Sequence, residues 1–183
     1  MRTLTDAPKQ IYWDSCAWIG LLCSEQDKIT ALRSIWEDAK AGKYEIWTSV
    51  YSYLEVIHSK APYGEAYPPE SDDKKVEEIL SQEFVIRAQV DVPVARLAKK
   101  LKRDLHHKGL KKRSDAIHLA TALYHNSEEL HTWDASDLLQ FDNQLKCKNG
   151  NNLKIIIPAA DKMHVPLFAQ MHLPKMPRVD DKK

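Results

Sequence analysis

Apolar residues along this chain follow two alternating rhythms. Short apolar or alternating runs at 10–13, 44–48, 83–90, 130–133 and 153–157 have the length and the β-branched or aromatic content of strands. Helical spacing fills the intervals. Residues 16–23 form a short apolar helix for which Ser15 is a candidate N-cap, and 26–41 carry Ile29, Leu32, Ile35, Trp36 and Ala39 on one face before a stop at Gly42. Tyr51, Leu54 and Ile57 mark a helical face over 50–59, and a shorter helix covers 74–81. Over 94–107, Leu97, Ala98, Leu101 and Leu105 turn inward, while Arg96, Lys99, Lys100, Lys102 and Arg103 turn outward. Ser114 then reads as the N-cap of a helix with Ile117, Ala120, Thr121 and Tyr124 on its packed face, and 138–141 make a last short turn of helix. This order predicts an α/β fold with three α/β/α layers around a central parallel sheet covered on both faces, in a single domain. Pro62, Gly64, Pro68 and Pro69 make 60–73 a loop or insertion, and 158–183, with four of the nine prolines, read as a tail beyond a domain spanning 1–157.

Composition narrows the choices. A chain of 183 residues with 43% hydrophobic content buries a substantial core without needing a second domain. Lys and Arg number 27 against 26 Asp and Glu, so any basic surface has to be local. The first ten residues are polar, and no apolar run approaches the length of a membrane span, so a cytoplasmic protein with no membrane partner is expected. Cys16, Cys23 and Cys147 match neither a disulfide framework nor a zinc pattern and read as small buried or half-buried thiols.

The candidate chemistry is acidic. Asp14 directly follows the first strand and Asp134 the 130–133 strand, at the edge where open α/β sheets bind ligands. Asp115 lies in the first turn of its helix, where the helix dipole favours a carboxylate, and Glu55 sits among the apolar Leu54, Val56 and Ile57. Two carboxylates ~5 Å apart repel by about 3 kcal/mol at an effective dielectric of 20, so acids that converge need compensation. An oxygen-only donor set without a Cys/His group favours Mg²⁺ or Mn²⁺, which suits phosphodiester hydrolysis. His118 shares a helix face with Asp115 and reads as a supporting group rather than a ligand. Lys111, Lys112 and Arg113 precede Asp115 and are placed to hold backbone phosphates, although the neutral charge balance makes a solvated surface their default. The five tryptophans fit core packing better than base stacking.

Four stretches taken in order, Ile11-Tyr12-Trp13-Asp14-Ser15, Thr48-Ser49 with Glu55, Ser114-Asp115-Ala116-Ile117-His118-Leu119-Ala120-Thr121-Ala122 and Thr132-Trp133-Asp134, resemble the PIN-domain ribonucleases, including VapC-like toxins. The resemblance covers roughly 10–157. It implies a metal-dependent endoribonuclease acting on RNA, with Asp14, Glu55, Asp115 and Asp134 as the catalytic and metal-holding acids. Asp137 is the candidate for a further acid of the set, with Asp142 close enough in sequence to compete for that role. Ser15 and Thr132 match hydroxyl positions that place water or phosphate. The resemblance also implies an antitoxin protein as partner and a homodimer, while 60–73 and 158–183 add length that the compact toxins lack. Two other readings are a catalytically inactive PIN-like RNA- or protein-binding module on the same scaffold and a metal-dependent phosphatase. The latter lacks its Asp-x-Asp pair, since Asp14 is followed by Ser15-Cys16.

Overall fold

The central strand β1 (Lys9–Trp13) sorts its residues between two cores: Ile11 and Trp13 point to one side of the sheet and Tyr12 to the other, all fully buried. In this computed structural model the described residues are 7–56 and 70–160, without the side chains of 70–72. On one side of β1 lie β2 (Tyr44–Ser49) and then β3 (Val85–Ala88); on the other lie β4 (Glu129–His131) and β5 (Lys154–Ile156). Every pairing is parallel and the order is β3-β2-β1-β4-β5. The chain therefore winds outward from β1 in one direction, returns, and winds outward in the other, which makes the β1–β4 junction the topological switch point.

Helices cover both faces, as the alternating pattern requires. On one face, α1 (Ser15–Leu22), α2 (Ile29–Lys40) and α4 (Glu70–Leu80) close over a core of Ile11, Trp13, Trp18, Leu32, Ile46 and Leu80. Trp13 and Trp18 stack edge-on with ring centroids 4.9 Å apart, and Trp36 meets Phe84 at 4.7 Å, so these tryptophans serve packing. On the other face, α5 (Val92–Leu105) and α6 (Arg113–Tyr124) pack over Tyr12, Leu130 and Ile155. α6 is enclosed between α5 and the sheet, with Asp115, Ala116 and the run from His118 to Leu123 all buried, so Asp115, His118 and Thr121 point into protein rather than water. Among the described residues no helix is long and apolar enough to cross a membrane. Cys16 and Cys23 are half-buried and Cys147 is buried.

Five local expectations change. Ser15 does not cap α1: Asp14 does, its side chain accepting from the Ala17 amide at 3.1 Å. Ser114 does not cap α6: the helix begins two residues earlier than that cap would give, with Lys112 at the cap position and no side-chain cap bond, and Ser114 turns its hydroxyl toward Asp115 Oδ1 at 3.4 Å. The helix expected over 50–59 is one turn, α3 (Ser52–Glu55), ended by Val56 in extended geometry. Burying Val56 in the core leaves Leu54 exposed, so the Tyr51–Leu54 stripe is not the packed face. Residues 57–59, most of the 60–73 segment and the tail from 161 fall outside the described residues. α4 starts at Glu70, inside the expected loop, and α5 starts at Val92 because Asp91 caps it, accepting from the Val94 amide at 3.0 Å, with Pro93 in its first turn.

Candidate active site

Strand ends and helix starts meet at the C-terminal edge of the sheet around the switch point. Asp14 leaves β1 and Asp134 lies just beyond β4; Thr132 ties them together. The Thr132 hydroxyl is fully buried, accepts from the Asp134 amide at 2.9 Å and hydrogen-bonds the Asp14 carboxylate. Asp134 then folds the chain into a tight turn: its Oδ1 accepts from the Ser136 hydroxyl at 2.8 Å and from the amides of Asp137 and Ser136 at 2.9 and 3.1 Å. That turn swings Asp137 inward, 7% exposed, against Asp115 from the first turn of α6.

The result is a ring of three carboxylates. Asp115, Asp134 and Asp137 each offer an oxygen, and these atoms lie within 4.8 Å of one another. One cation is present in the ring. Lys112 Nζ stands 3.0 Å from Asp134 Oδ2, 3.5 Å from Asp137 Oδ2 and 3.8 Å from Asp115 Oδ2. This does not satisfy the ring, because Asp115 Oδ2 is buried with no hydrogen-bond partner. Burial, proximity to Asp137 with which a proton can be shared, and the charge of Asp134 push the Asp115 carboxyl up to about 7, against the opposing pull of Lys112. Burial also raises Asp134, but the Asp137 amide, Lys112 and Ser136 outweigh it and hold Asp134 below its ordinary value. Asp14, 3% exposed, is raised by burial despite its bond from Thr132. Cys16, beside these acids, is pushed up to about 12 by burial and the Asp14 charge, which makes it a poor nucleophile.

Glu55 occupies a second arrangement beside the ring. Its Oε2 accepts from the Ser15 hydroxyl at 2.8 Å and from His118 Nε2 at 2.6 Å. A carboxylate can only accept, so Nε2 carries the proton. On the other side of the imidazole, Nδ1 meets the Tyr12 hydroxyl at 2.8 Å, and that hydroxyl also accepts from the Ser49 amide at 3.0 Å. Burial alone would raise Glu55; the His118 bond and charge, with the Ser15 hydroxyl, lead the effects that more than offset it and hold the group below its ordinary value. Thr48, the other residue of that motif, bonds the carbonyl of Trp13 at 3.0 Å and receives the Trp18 indole N–H at 3.0 Å, fixing β2 to β1.

Of the acids singled out in the sequence, Asp115, Asp134 and Asp137 come together; Asp14 borders them through Thr132, and Glu55 stands apart on His118. Asp142 lies elsewhere, its Oδ1 accepting from the Ile155 amide at 2.7 Å as a brace for β5. The basic triplet divides: Lys112 enters the ring, Lys111 is exposed, and Arg113 lines a cavity of about 630 Å³ between α5 and α6. Lys112 as partner of the acids was not anticipated, although its i,i+3 spacing to Asp115 is a detectable signal. The Tyr12–His118–Glu55 chain was also missed beyond a supporting role for His118.

The acids fall inside a recognisable sequence unit, since the family model described as PIN domain matches residues 11–145. The chain belongs to the PIN domain family. The matched span holds Asp14, Glu55, Asp115, Asp134 and Asp137 together with the end of β1 and all of β2 to β4, and stops short of β5. No curated protein matches the chain. Among solved structures, VapBC2 from Rickettsia felis, bound to a DNA fragment from its promoter, superposes with a TM-score of 0.55 at 16% identity, covering 82% of this chain and 99% of that one. VapC20 from Mycobacterium tuberculosis, described as a sarcin-ricin loop cleaving toxin, gives a TM-score of 0.53 at 16% identity, covering 68% of this chain and 90% of that one. At such identity these likenesses establish the shared fold.

Proposed function

We propose that this PIN domain is a divalent-metal-dependent endoribonuclease that hydrolyses RNA phosphodiester bonds in the cytoplasm, as the toxin of a toxin–antitoxin pair. The observation that carries this reading is the ring of Asp115, Asp134 and Asp137 with one buried oxygen left unpartnered, placed in the switch-point crevice. The donor set fits a hard divalent ion: every candidate atom is a carboxylate oxygen, and the ring carries more negative charge than Lys112 balances. Mg²⁺ or Mn²⁺ is the expected ion. The toxin assignment draws support from the family and from the description of VapC20.

In this reading Asp115, Asp134 and Asp137 hold the ion, and Asp14 and Glu55 border it where they orient water. Bound there, the ion acidifies water and neutralises charge on phosphate oxygens. The residues supply the rest. Thr132 fixes the relative placement of Asp14 and Asp134, while Ser15 and His118 hold Glu55 ionised. Lys111 and Arg113, the sequence neighbours of Lys112, are the cations offered to backbone phosphates in this reading. An antitoxin protein covering the acidic crevice and a homodimer are the partners the family resemblance suggests.

The test is cleavage of a pool of structured RNAs with Mg²⁺ or Mn²⁺. The wild type should cleave, and both chelation and Asp115→Asn should abolish cleavage while circular dichroism stays native. An inactive wild type with every RNA class in either metal overturns the proposal.

A further inference from the structure

Lys112 is the one feature of the crevice that the proposed reaction does not explain, and its geometry is specific. Its ammonium makes its 3.0 Å contact with Asp134, stands at 3.5 Å from Asp137 and at 3.8 Å from Asp115, and it reaches all three from a backbone position at the start of α6. We infer that Lys112 is a tethered counter-cation that occupies the place of the divalent ion in the unloaded protein and has to leave it for the ion to bind. The inference rests on the metal-dependent reading above.

Three observations lead there. The first is charge: three carboxylates within 4.8 Å need a cation, and Lys112 is the cation within ion-pair distance of all of them among the described residues. The second is size. Oxygens hold Mg²⁺ at about 2.1 Å, whereas the ammonium stands 3.0 to 3.8 Å from the three carboxylates, so the acids around Lys112 are set for the larger cation. The third is incompleteness. The ammonium stands 3.8 Å from Asp115 Oδ2, within ion-pair distance but beyond hydrogen-bond length, and leaves that buried atom without a hydrogen-bond partner. Lysine thus holds the acids together without fully replacing the ion, and its half-exposed, flexible stem gives it a path out to solvent. The consequence is a built-in threshold: the ion has to displace a covalently attached competitor.

Calorimetric titration of the full chain with Mn²⁺ at low ionic strength, in the absence of RNA, measures this competition. Lys112→Met should bind Mn²⁺ about tenfold more tightly than wild type, a size set by a partly exposed ion pair and the removal of one nearby positive charge. Lys112→Arg should keep the wild-type affinity or weaken it, and Lys40→Met, which removes an exposed cation paired with Glu37 on α2, should leave it unchanged. Equal or weaker Mn²⁺ binding by Lys112→Met overturns the inference while leaving the metal reading intact; no Mn²⁺ binding by either protein overturns both. A measurement on the unmodified protein guards against misfolding of the variants. Acylation of Lys112 by an amine-reactive ester, read by mass spectrometry, should rise several-fold on adding Mg²⁺ as the ammonium leaves the acids. Unchanged Lys112 labelling at a Mg²⁺ concentration that saturates the site overturns the inference.

Discussion

Two acidic arrangements lie side by side at the same edge of the sheet, and they are built on opposite principles. Around Glu55 every strong group has a partner: Ser15 from α1, Glu55 from α3, His118 from α6, Tyr12 from β1 and Ser49 from β2 form one continuous hydrogen-bonded chain across five elements. Around Asp115 the arithmetic fails. Three carboxylates share one ammonium, and a buried oxygen is left over. A satisfied buried network rigidifies a fold, whereas an unsatisfied one stores free energy that a ligand can release. The contrast divides the labour in the proposed reading: the Glu55 side is held fixed by its partners, and the Asp115 side has the capacity left to bind an ion.

Substitutions should therefore differ in sign between the two. His118→Ala removes the shared partner of Glu55 and Tyr12 from a site 1% exposed and should cost about 3 kcal/mol of stability by chemical denaturation, from the cavity and the stranded carboxylate together. Asp115→Asn should leave the ion-free protein as stable as wild type or more so, because it removes a repelling charge. A large loss from Asp115→Asn, or none from His118→Ala, would erase the distinction.

Acidity gives a smaller effect of defined direction. The Asp115 carboxyl is raised from 3.8 to about 7, so the folded state retains a proton that the unfolded chain releases, and this contribution to stability declines as pH rises from about 4 to 7. After allowance for solvent screening it amounts to about 1–2 kcal/mol. Asp115→Asn should flatten the ion-free stability profile over that window, and a wild-type profile unaltered by the substitution would count against the assignment. Glu55, held below its ordinary value, contributes with the opposite sign, losing its stabilisation only as pH falls through its folded value. Smallest is Ser15→Ala, which deletes one of the donors to Glu55 and should lower stability by about 1 kcal/mol in the same denaturation assay. A loss as large as that of His118→Ala would mean that Ser15, rather than the imidazole, anchors the Glu55 side.

Much of the architecture was legible from the chain because β strands buried on both faces read as short apolar runs and the helices between them as amphipathic stretches. The parallel sheet, its five strands and the placement of Asp14 and Asp134 beyond β1 and β4 follow directly. The errors occur where polar side chains bond to nearby groups in place of the pattern. Asp14 caps α1 in place of Ser15, Ser114 faces Asp115 rather than capping α6, and Val56 prefers the core to another helical turn. Within the site, Asp115 and Asp134 could be read from position alone. Asp137 needed the Asp134 turn to swing it inward, and Glu55 needed a view of His118 and Tyr12, which are 63 residues away in the first case and linked across 106 in the second. Long-range partners of this kind leave no local signal in a single sequence.

The most direct test of the central claim is anomalous diffraction from crystals of the full chain soaked in Mn²⁺. The account predicts a manganese peak within bonding distance of Asp115 Oδ2 and of at least one of Asp134 and Asp137, with Lys112 turned away. A saturating soak that places manganese only elsewhere, with Lys112 still on the three acids, would contradict it.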